Sequence, residues 1–165
     1  MELSQRGAAR CYNPVVDRLL AEIKRIVETQ ASPEEGLQAV VSLLRKRVAH
    51  YDWVGVYLVQ DGKLKLGPWD GPEATEHTEI DIGAGICGLA AQTRETVIVD
   101  DVNQRPEYLA CFINTQSEIV VPLMRGGECV GEIDIDSDQA AAFGAEDQAF
   151  LERVAAMMVA AYFED

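Results

Sequence analysis

The sequence predicts a single α+β domain in which a central antiparallel sheet is flanked by N-terminal and C-terminal helices. Three observations support this: helical periodicity over residues 13–50, hairpin-linked strand patterns after Tyr51, and a closing helical pattern up to Tyr162. Strands that are bracketed by helices, rather than alternating with them, are typical of this class. The length of 165 residues fits one domain. We expect residues 1–12 to be an N-terminal extension, 13–50 the helices and 51–163 the core.

Two helices are predicted before the sheet. Asn13 followed by Pro14 is a typical helix start, because proline lacks the N–H group that would be unpaired there. Ser32 and Glu35 have the spacing of a capping box at the start of the second helix. After each start the apolar residues recur with a period of about 3.6, so each helix has one face to bury.

The strand patterns begin at Tyr51, where the apolar periodicity changes. Asp61 and Gly62 are a hairpin turn signal, and the Gly- and Pro-rich residues 67–72 predict a further turn. The predicted elements are, in order, strands over 51–59, 63–66 and 78–82, a helix over 86–94, strands over 96–99, 117–124 and 128–136, and a helix over 143–162.

The charge and composition exclude several classes of function. Asp and Glu total 28 against 14 Lys and Arg, so the formal net charge is −14. This acidity argues against binding to nucleic acid or to an anionic membrane surface. No apolar run reaches the ~20 residues that span a bilayer, and the N-terminal residues lack the pattern of a secretion signal. We therefore expect a cytoplasmic protein.

The cysteines are expected to be reduced in that compartment. The four, Cys11, Cys87, Cys111 and Cys129, have neither C-x-x-C nor zinc-finger spacing, and only two histidines are present. We expect no metal and no cofactor. Cys87 follows Gly85 at a predicted helix start, where N–H groups would lower the pKa of a thiol. Cys11 and Cys129 are expected to be small buried hydrophobes.

One face of the predicted sheet collects acids and aromatic rings, because side chains alternate between the two faces of a strand. The members of this face are Trp53, Tyr57, Glu118, Glu132, Asp134 and Asp136. A solvated face is the simple interpretation, since Asp and Glu are usually exposed. Against it, Asp134 and Asp136 would repel each other unless a cation or a shared proton lay between them.

Residues 100–116 form a long irregular connection, and loops of this length are often functional lids. Folded over the acidic face, this segment would make a pocket with an aromatic wall. A pocket of this kind would suit a small cationic or zwitterionic ligand.

Five short segments and Cys111 together resemble one known family. The segments are Trp53-Val-Gly-Val-Tyr57-Leu, Leu66-Gly-Pro-Trp-Asp-Gly71, Gly83-Ala-Gly-Ile-Cys-Gly88, Ser117-Glu-Ile-Val-Val-Pro-Leu123 and Gly131-Glu-Ile-Asp-Ile-Asp-Ser137. In combination they are similar to the GAF-domain free methionine-(R)-sulfoxide reductases, from about Tyr51 to Tyr162.

The resemblance implies an oxidoreductase that reduces free methionine-(R)-sulfoxide to methionine. It implies that Cys111 is the nucleophile and that its sulfenic acid is resolved as a Cys87–Cys111 disulfide. The reductant of the family is typically thioredoxin, and its members are commonly homodimers.

The resemblance also implies how the substrate binds. Trp53 and Tyr57 would hold the methyl group and the side chain of the sulfoxide. The ammonium and the polar sulfoxide would meet the carboxyl groups of Glu118, Asp134 and Asp136. This agrees with the acidic face that strand alternation predicts.

The chain departs from the family at position 77. Many members carry there a further cysteine, ten positions before the one matched by Cys87, which serves as the resolving thiol; this chain has His77. Cys87 must then resolve Cys111 directly, or an external thiol must do so.

Thiolate attack on a sulfoxide needs an acid that protonates the departing oxygen. Crowded carboxyl groups share protons, which keeps one of them protonated near neutral pH. Glu118 and Asp134 are both candidates, and the sequence does not choose between them. N–H groups around Ala84-Gly85-Ile86 at a helix start would suit the substrate carboxylate.

The alternative function is a non-catalytic GAF sensor domain that binds a small molecule.

Overall fold

The computed structural model describes residues 13–110 and 112–164. The expectations for the N-terminal extension, for Cys11 and for the side chain of Cys111 lie outside these residues. The elements are α1 (Pro14–Thr29), α2 (Pro33–Arg47), β1 (Trp53–Gln60), β2 (Lys63–Asp70), β3 (Glu79–Asp81), α3 (Gly85–Thr93), β4 (Val97–Val99), a 3₁₀ turn (Val102–Gln104), β5 (Ser117–Arg125), β6 (Glu128–Ser137) and α4 (Ala145–Tyr162). None of the helices described is long and apolar enough to cross a membrane.

The six strands form one sheet in the order β3-β2-β1-β6-β5-β4. Each neighbouring pair is antiparallel, which confirms the predicted α+β class. The hairpin between β1 and β2 turns at Asp61 and Gly62, with φ of 54° and 75°. Two consecutive positive φ angles are what a two-residue hairpin turn requires, so the turn signal in the sequence is confirmed.

Both predicted N-terminal helix starts are confirmed. The Asn13 side chain accepts hydrogen bonds from the N–H groups of Val15 and Val16 at 3.1 and 3.5 Å. The Ser32 hydroxyl accepts one from the N–H of Glu35 at 3.2 Å. Each such cap is worth about 1 kcal/mol, because it pairs a donor that the helix cannot.

The sheet separates two apolar clusters. On one face, side chains such as Val54, Ile119 and Ile133 pack against α1, α2 and α4. On the other face, Trp53 and Tyr57 pack against α3 and the residues after β4. The second face is the one that holds the acids, so the fold covers it instead of leaving it in water.

The structure corrects the predicted end of β2. The sequence predicts a turn over residues 67–72, but β2 continues to Asp70. Trp69 pairs with Gly55, and the register shifts between Gly55 and Tyr57. Pro68 falls within this bulge, where a missing N–H group costs no ladder hydrogen bond. The helix α4 also begins two residues later than predicted, after Gly144, whose N–H donates to Asp147.

Candidate active site

The strand register brings four carboxyl side chains together, which we call the acid cluster: Glu118, Glu132, Asp134 and Asp136. In β6, alternate residues lie opposite Trp53, Gly55 and Tyr57 of β1. Glu118 of β5 pairs directly with Asp136. All four side chains are at most 4% exposed. The interpretation of a solvated face is therefore wrong, and the predicted grouping of acids and rings on one face is confirmed.

Two aromatic side chains border the acid cluster and are held by hydrogen bonds. The Trp53 indole N–H donates to the carbonyl of Glu73 at 3.2 Å. The Tyr57 hydroxyl donates to the carbonyl of His77 at 2.7 Å. The Trp53 ring also stacks on Trp69, with centroids 6.1 Å apart and an interplanar angle of 13°. Trp53 and Tyr57, which we call the aromatic wall, are thus fixed in position. Trp69 extends this wall, although the sequence pattern assigned it no role.

Most oxygens of the acid cluster lack a partner. Within residues 13–110 and 112–164, neither carboxyl oxygen of Glu132 or Asp136 has a hydrogen bond, and the same holds for Oε2 of Glu118 and Oδ1 of Asp134. A buried, unpaired polar atom costs free energy, and a buried charge costs far more. The acid cluster is therefore suited to binding protons or a cationic ligand, either of which would pair these oxygens. Glu132 belongs to it, although the sequence assigned it no role.

Burial changes the protonation of these acids. Loss of solvation, followed by repulsion from neighbouring carboxylates, raises the pKa of Glu118 and Asp136 well above their usual ranges. Burial also raises the pKa of Asp134, but hydrogen bonds from Glu118 and Cys87 hold it to about 6. At neutral pH Asp134 is therefore mostly ionised, whereas the raised pKa of Glu118 favours its protonated form.

Cys87 adds a thiol to the acid cluster. It is the third residue of α3 and is 5% exposed. Its Sγ lies 3.9 Å from Oε1 of Glu118. The predicted lowering of its pKa is wrong: burial first, and then the charges of Asp134, Glu132 and Glu118, raise the pKa of this thiol well above its usual range. These effects outweigh the N–H groups of the helix start.

The residues on either side of position 111 lie over this face. Leu109 packs on Gly85 so closely that a Cβ at Gly85 would lie 2.9 Å from its side chain. Nε2 of His77 lies 3.1 Å from the carbonyl oxygen of Ala110, and the Phe112 ring is 5.6 Å from that of Trp53. We call α3, residues 71–78 and the described part of 100–116 the cover. With the acids almost fully buried, a ligand enters only when part of the cover moves.

Comparison with known proteins places this geometry in a family. A family model described as GAF domain matches residues 32–162. The free methionine-R-sulfoxide reductase of Saccharomyces cerevisiae is 35% identical over 152 residues, which cover 87% of this chain and 83% of the relative. The X-ray structure of free methionine-R-sulfoxide reductase from Neisseria meningitidis in complex with its substrate has a TM-score of 0.85 at 31% identity, covering 99% of this chain and 96% of that one. The type II free methionine-R-sulfoxide reductase from Thermoplasma acidophilum is 42% identical with a TM-score of 0.73, covering 85% and 97%.

Proposed function

This chain belongs to the GAF domain family, and we propose that it is an oxidoreductase that reduces free methionine-(R)-sulfoxide to methionine. The observation that supports this most directly is the buried acid cluster beside Trp53 and Tyr57, with the Cys87 thiol at its edge. A free amino acid brings an ammonium group, which a peptide-bound methionine lacks. Relatives named for this activity, one of them solved with its substrate, support the same choice.

Asp134 is the proposed partner of the substrate ammonium. Its pKa is about 6, so it is mostly charged at neutral pH. The ammonium would replace the missing hydrogen-bond partners of Asp134 and Asp136. Trp53 and Tyr57 would hold the apolar part of the side chain against their rings.

Glu118 is the proposed acid that protonates the departing oxygen. The thiolate of Cys111 attacks the sulfoxide sulfur while Glu118 protonates the sulfoxide oxygen. The transient bond between the two sulfurs and the S–O bond then break as the hydroxyl becomes bonded to the Cys111 sulfur, which gives a Cys111 sulfenic acid. Methionine is released with two electrons more than the sulfoxide. Glu118 suits this role because burial and its neighbours raise its pKa well above the usual range, which favours the protonated form that a general acid needs. The sequence left Glu118 and Asp134 open. Glu118 is favoured because its pKa is raised well above the usual range, whereas Asp134, with a pKa of about 6, is mostly ionised at neutral pH.

Cys87 is the proposed resolving thiol. Its sulfur displaces the hydroxyl of the sulfenic acid, which leaves as water, and a Cys87–Cys111 disulfide forms. Thioredoxin then reduces this disulfide by thiol exchange and becomes oxidised itself. Glu118, 3.9 Å from the Cys87 sulfur, returns to its carboxylate form after the first step and can take the thiol proton.

The setting of the enzyme follows from this cycle. Thioredoxin exchange needs a reducing compartment, and we therefore propose the cytoplasm. We also propose a homodimer, as in the family that the sequence resembles. Light scattering coupled to size-exclusion chromatography tests this, and a monomeric mass at micromolar concentration would contradict it.

The function is tested by NADPH consumption coupled through thioredoxin and thioredoxin reductase. Free methionine-(R)-sulfoxide, its S epimer and a peptide-bound sulfoxide are compared side by side. We expect turnover of the first alone, no activity in Cys111→Ser, and full activity in the control Cys129→Ser. Binding of the sulfoxide without turnover would favour the alternative of a non-catalytic sensor domain.

A further inference from the structure

The acid cluster and Cys87 have the spacing of a metal site. The Cys87 sulfur, one oxygen of Glu118 and one oxygen of Asp134 all lie within 4.8 Å of one another. The sulfur lies 3.9 Å from Oε1 of Glu118. In a tetrahedral zinc site, a thiolate and a carboxylate oxygen bound at their usual distances are about 3.6 Å apart. The sulfur and Oε1 of Glu118 would have to close by about 0.3 Å, and a pair at the 4.8 Å limit by about 1 Å, to bind one ion.

A second observation points to a ligand at this place. Glu132 is completely buried, and in the described part of the chain neither of its carboxyl oxygens has a hydrogen-bond partner. Its charge also acts on the Cys87 thiol and helps to raise the pKa of that thiol. A further carboxyl group therefore interacts with this site. Among the described residues, the groups that shift the pKa values at the site are other acids and Cys87, with no cationic side chain among them.

We propose that this site binds Zn²⁺ through Cys87, Glu118 and Asp134, with a water as the fourth ligand and Glu132 as an acceptor for that water. A thiolate combined with carboxylates selects zinc over Mg²⁺ or Ca²⁺, which prefer oxygen ligands alone. Binding displaces the thiol proton and the protons of those acids that carry one, and no electrons are transferred. The ion takes the place that the substrate ammonium takes in the proposed function.

Bound zinc is an inhibitor and not a cofactor. It holds the Cys87 sulfur, which the proposed redox cycle needs, and it neutralises the acids that would bind the ammonium. Inhibition thus rests on the proposed function, whereas the metal site rests on geometry alone. The proposed site departs from the expectation of no metal, which rests on the cysteine spacing and the two histidines and does not include the carboxyl groups.

The experiment uses the full-length protein, fully reduced and freed of metal, titrated anaerobically with Co²⁺. We expect a thiolate-to-cobalt charge-transfer band in the near ultraviolet and strong visible bands of four-coordinate cobalt, both removed by one equivalent of Zn²⁺. Competition with a chromophoric chelator then measures zinc affinity. Glu118→Gln and Asp134→Asn should each weaken it by at least about tenfold. Methionine should compete with the metal.

Matched cysteine variants decide which sulfur binds. Cys87→Ala should abolish the charge-transfer band, whereas Cys111→Ser and Cys129→Ser should retain it. A band that survives in Cys87→Ala, or that is lost in either of the other two variants, overturns the proposal, as does the absence of any band in the wild type. Zinc binding without sulfoxide reduction would contradict only the proposed function. Sulfoxide reduction without zinc binding would contradict only the metal site.

Discussion

Nε2 of His77 lies 3.1 Å from the carbonyl oxygen of Ala110, so position 77 meets the residue immediately before Cys111. The Tyr57 hydroxyl donates to the carbonyl of the same histidine at 2.7 Å. His77 thus joins the aromatic wall to the part of the cover that leads into Cys111. The resemblance to the family places a cysteine at this position in many of its members, and the contact shows that a side chain at position 77 reaches Ala110.

Cys87→Ser is expected to stop the cycle after the first half. The protein should release about one equivalent of methionine and then stall with thioredoxin as the reductant, since no second thiol closes the disulfide. Rapid-quench measurement of methionine per enzyme checks this. Steady turnover equal to that of the wild type would remove Cys87 from the mechanism.

His77→Cys in the Cys87→Ser background is expected to restore thioredoxin-dependent turnover. A sulfur at position 77 would lie beside Ala110 and could attack the sulfenic acid of Cys111 in place of Cys87. The coupled NADPH assay measures the restored rate. The matched control is His77→Ser in the same background, which should remain stalled; equal rates in the two double variants would contradict the prediction.

The stability of the ligand-free protein is expected to fall as pH rises from about 4 to above 6. Burial raises the pKa of Asp134 from 3.8 to about 6, so in this range the folded state binds more protons than the unfolded state. The contribution of Asp134 to the free energy of unfolding is therefore largest below pH 4. It falls by about 3 kcal/mol as the pH rises above 6. Urea unfolding in chelator-containing buffers measures this trend.

Asp134→Asn is the variant that isolates this effect, because asparagine does not titrate. Its profile should be flatter between pH 4 and 7 than that of the wild type. Glu128→Gln, at the exposed start of β6, should leave the profile unchanged. An Asp134→Asn profile as steep as that of the wild type would show that another group controls the pH dependence.

Affinity for methionine is expected to decrease as pH falls through about 6. The ammonium pairs with the carboxylate form of Asp134, and protonation of Asp134, whose pKa is about 6, removes that charge. Calorimetry between pH 5 and 8 should show a fall of up to tenfold per pH unit below 6. Affinity that does not vary over this range would exclude Asp134 as the ammonium partner.

Gly55→Ala is expected to displace the Trp53 ring and remove most activity. A Cβ at Gly55 would lie 2.2 Å from Cη2 of Trp53, and real side chains do not approach so closely. Overpacking of this kind costs about 1–3 kcal/mol, and it should raise KM because the aromatic wall moves. Tryptophan fluorescence and the coupled assay measure the two effects.

Gly144→Ala is the matched control for this substitution. A Cβ at Gly144 meets no atom within 4 Å, so stability should change by less than about 1 kcal/mol. Activity should be that of the wild type. If both glycine variants lost activity equally, contact with Trp53 would not be the cause.

Local patterns in the sequence were enough for the helix starts, the hairpin at Asp61 and Gly62, and the sorting of side chains between the two faces of the sheet. Capping and turn conformation depend on a few neighbouring residues, and alternation depends only on strand geometry. The shared face of Trp53, Asp134 and Asp136 follows from that alternation alone.

Only the tertiary structure decided that this face is buried, because burial depends on α3 and the described part of residues 100–116, which are distant in sequence from most of the strands that they cover. The same packing raises the pKa of Cys87, where the sequence predicts that it is lowered. It also places the charge of Glu132 close enough to act on the Cys87 thiol, and it places His77 beside Ala110. β2 also continues past Pro68, because Pro68 lies in a bulge where its missing N–H group costs no ladder hydrogen bond. Desolvation and contacts between distant segments have no local signature, since both arise only once the chain has folded.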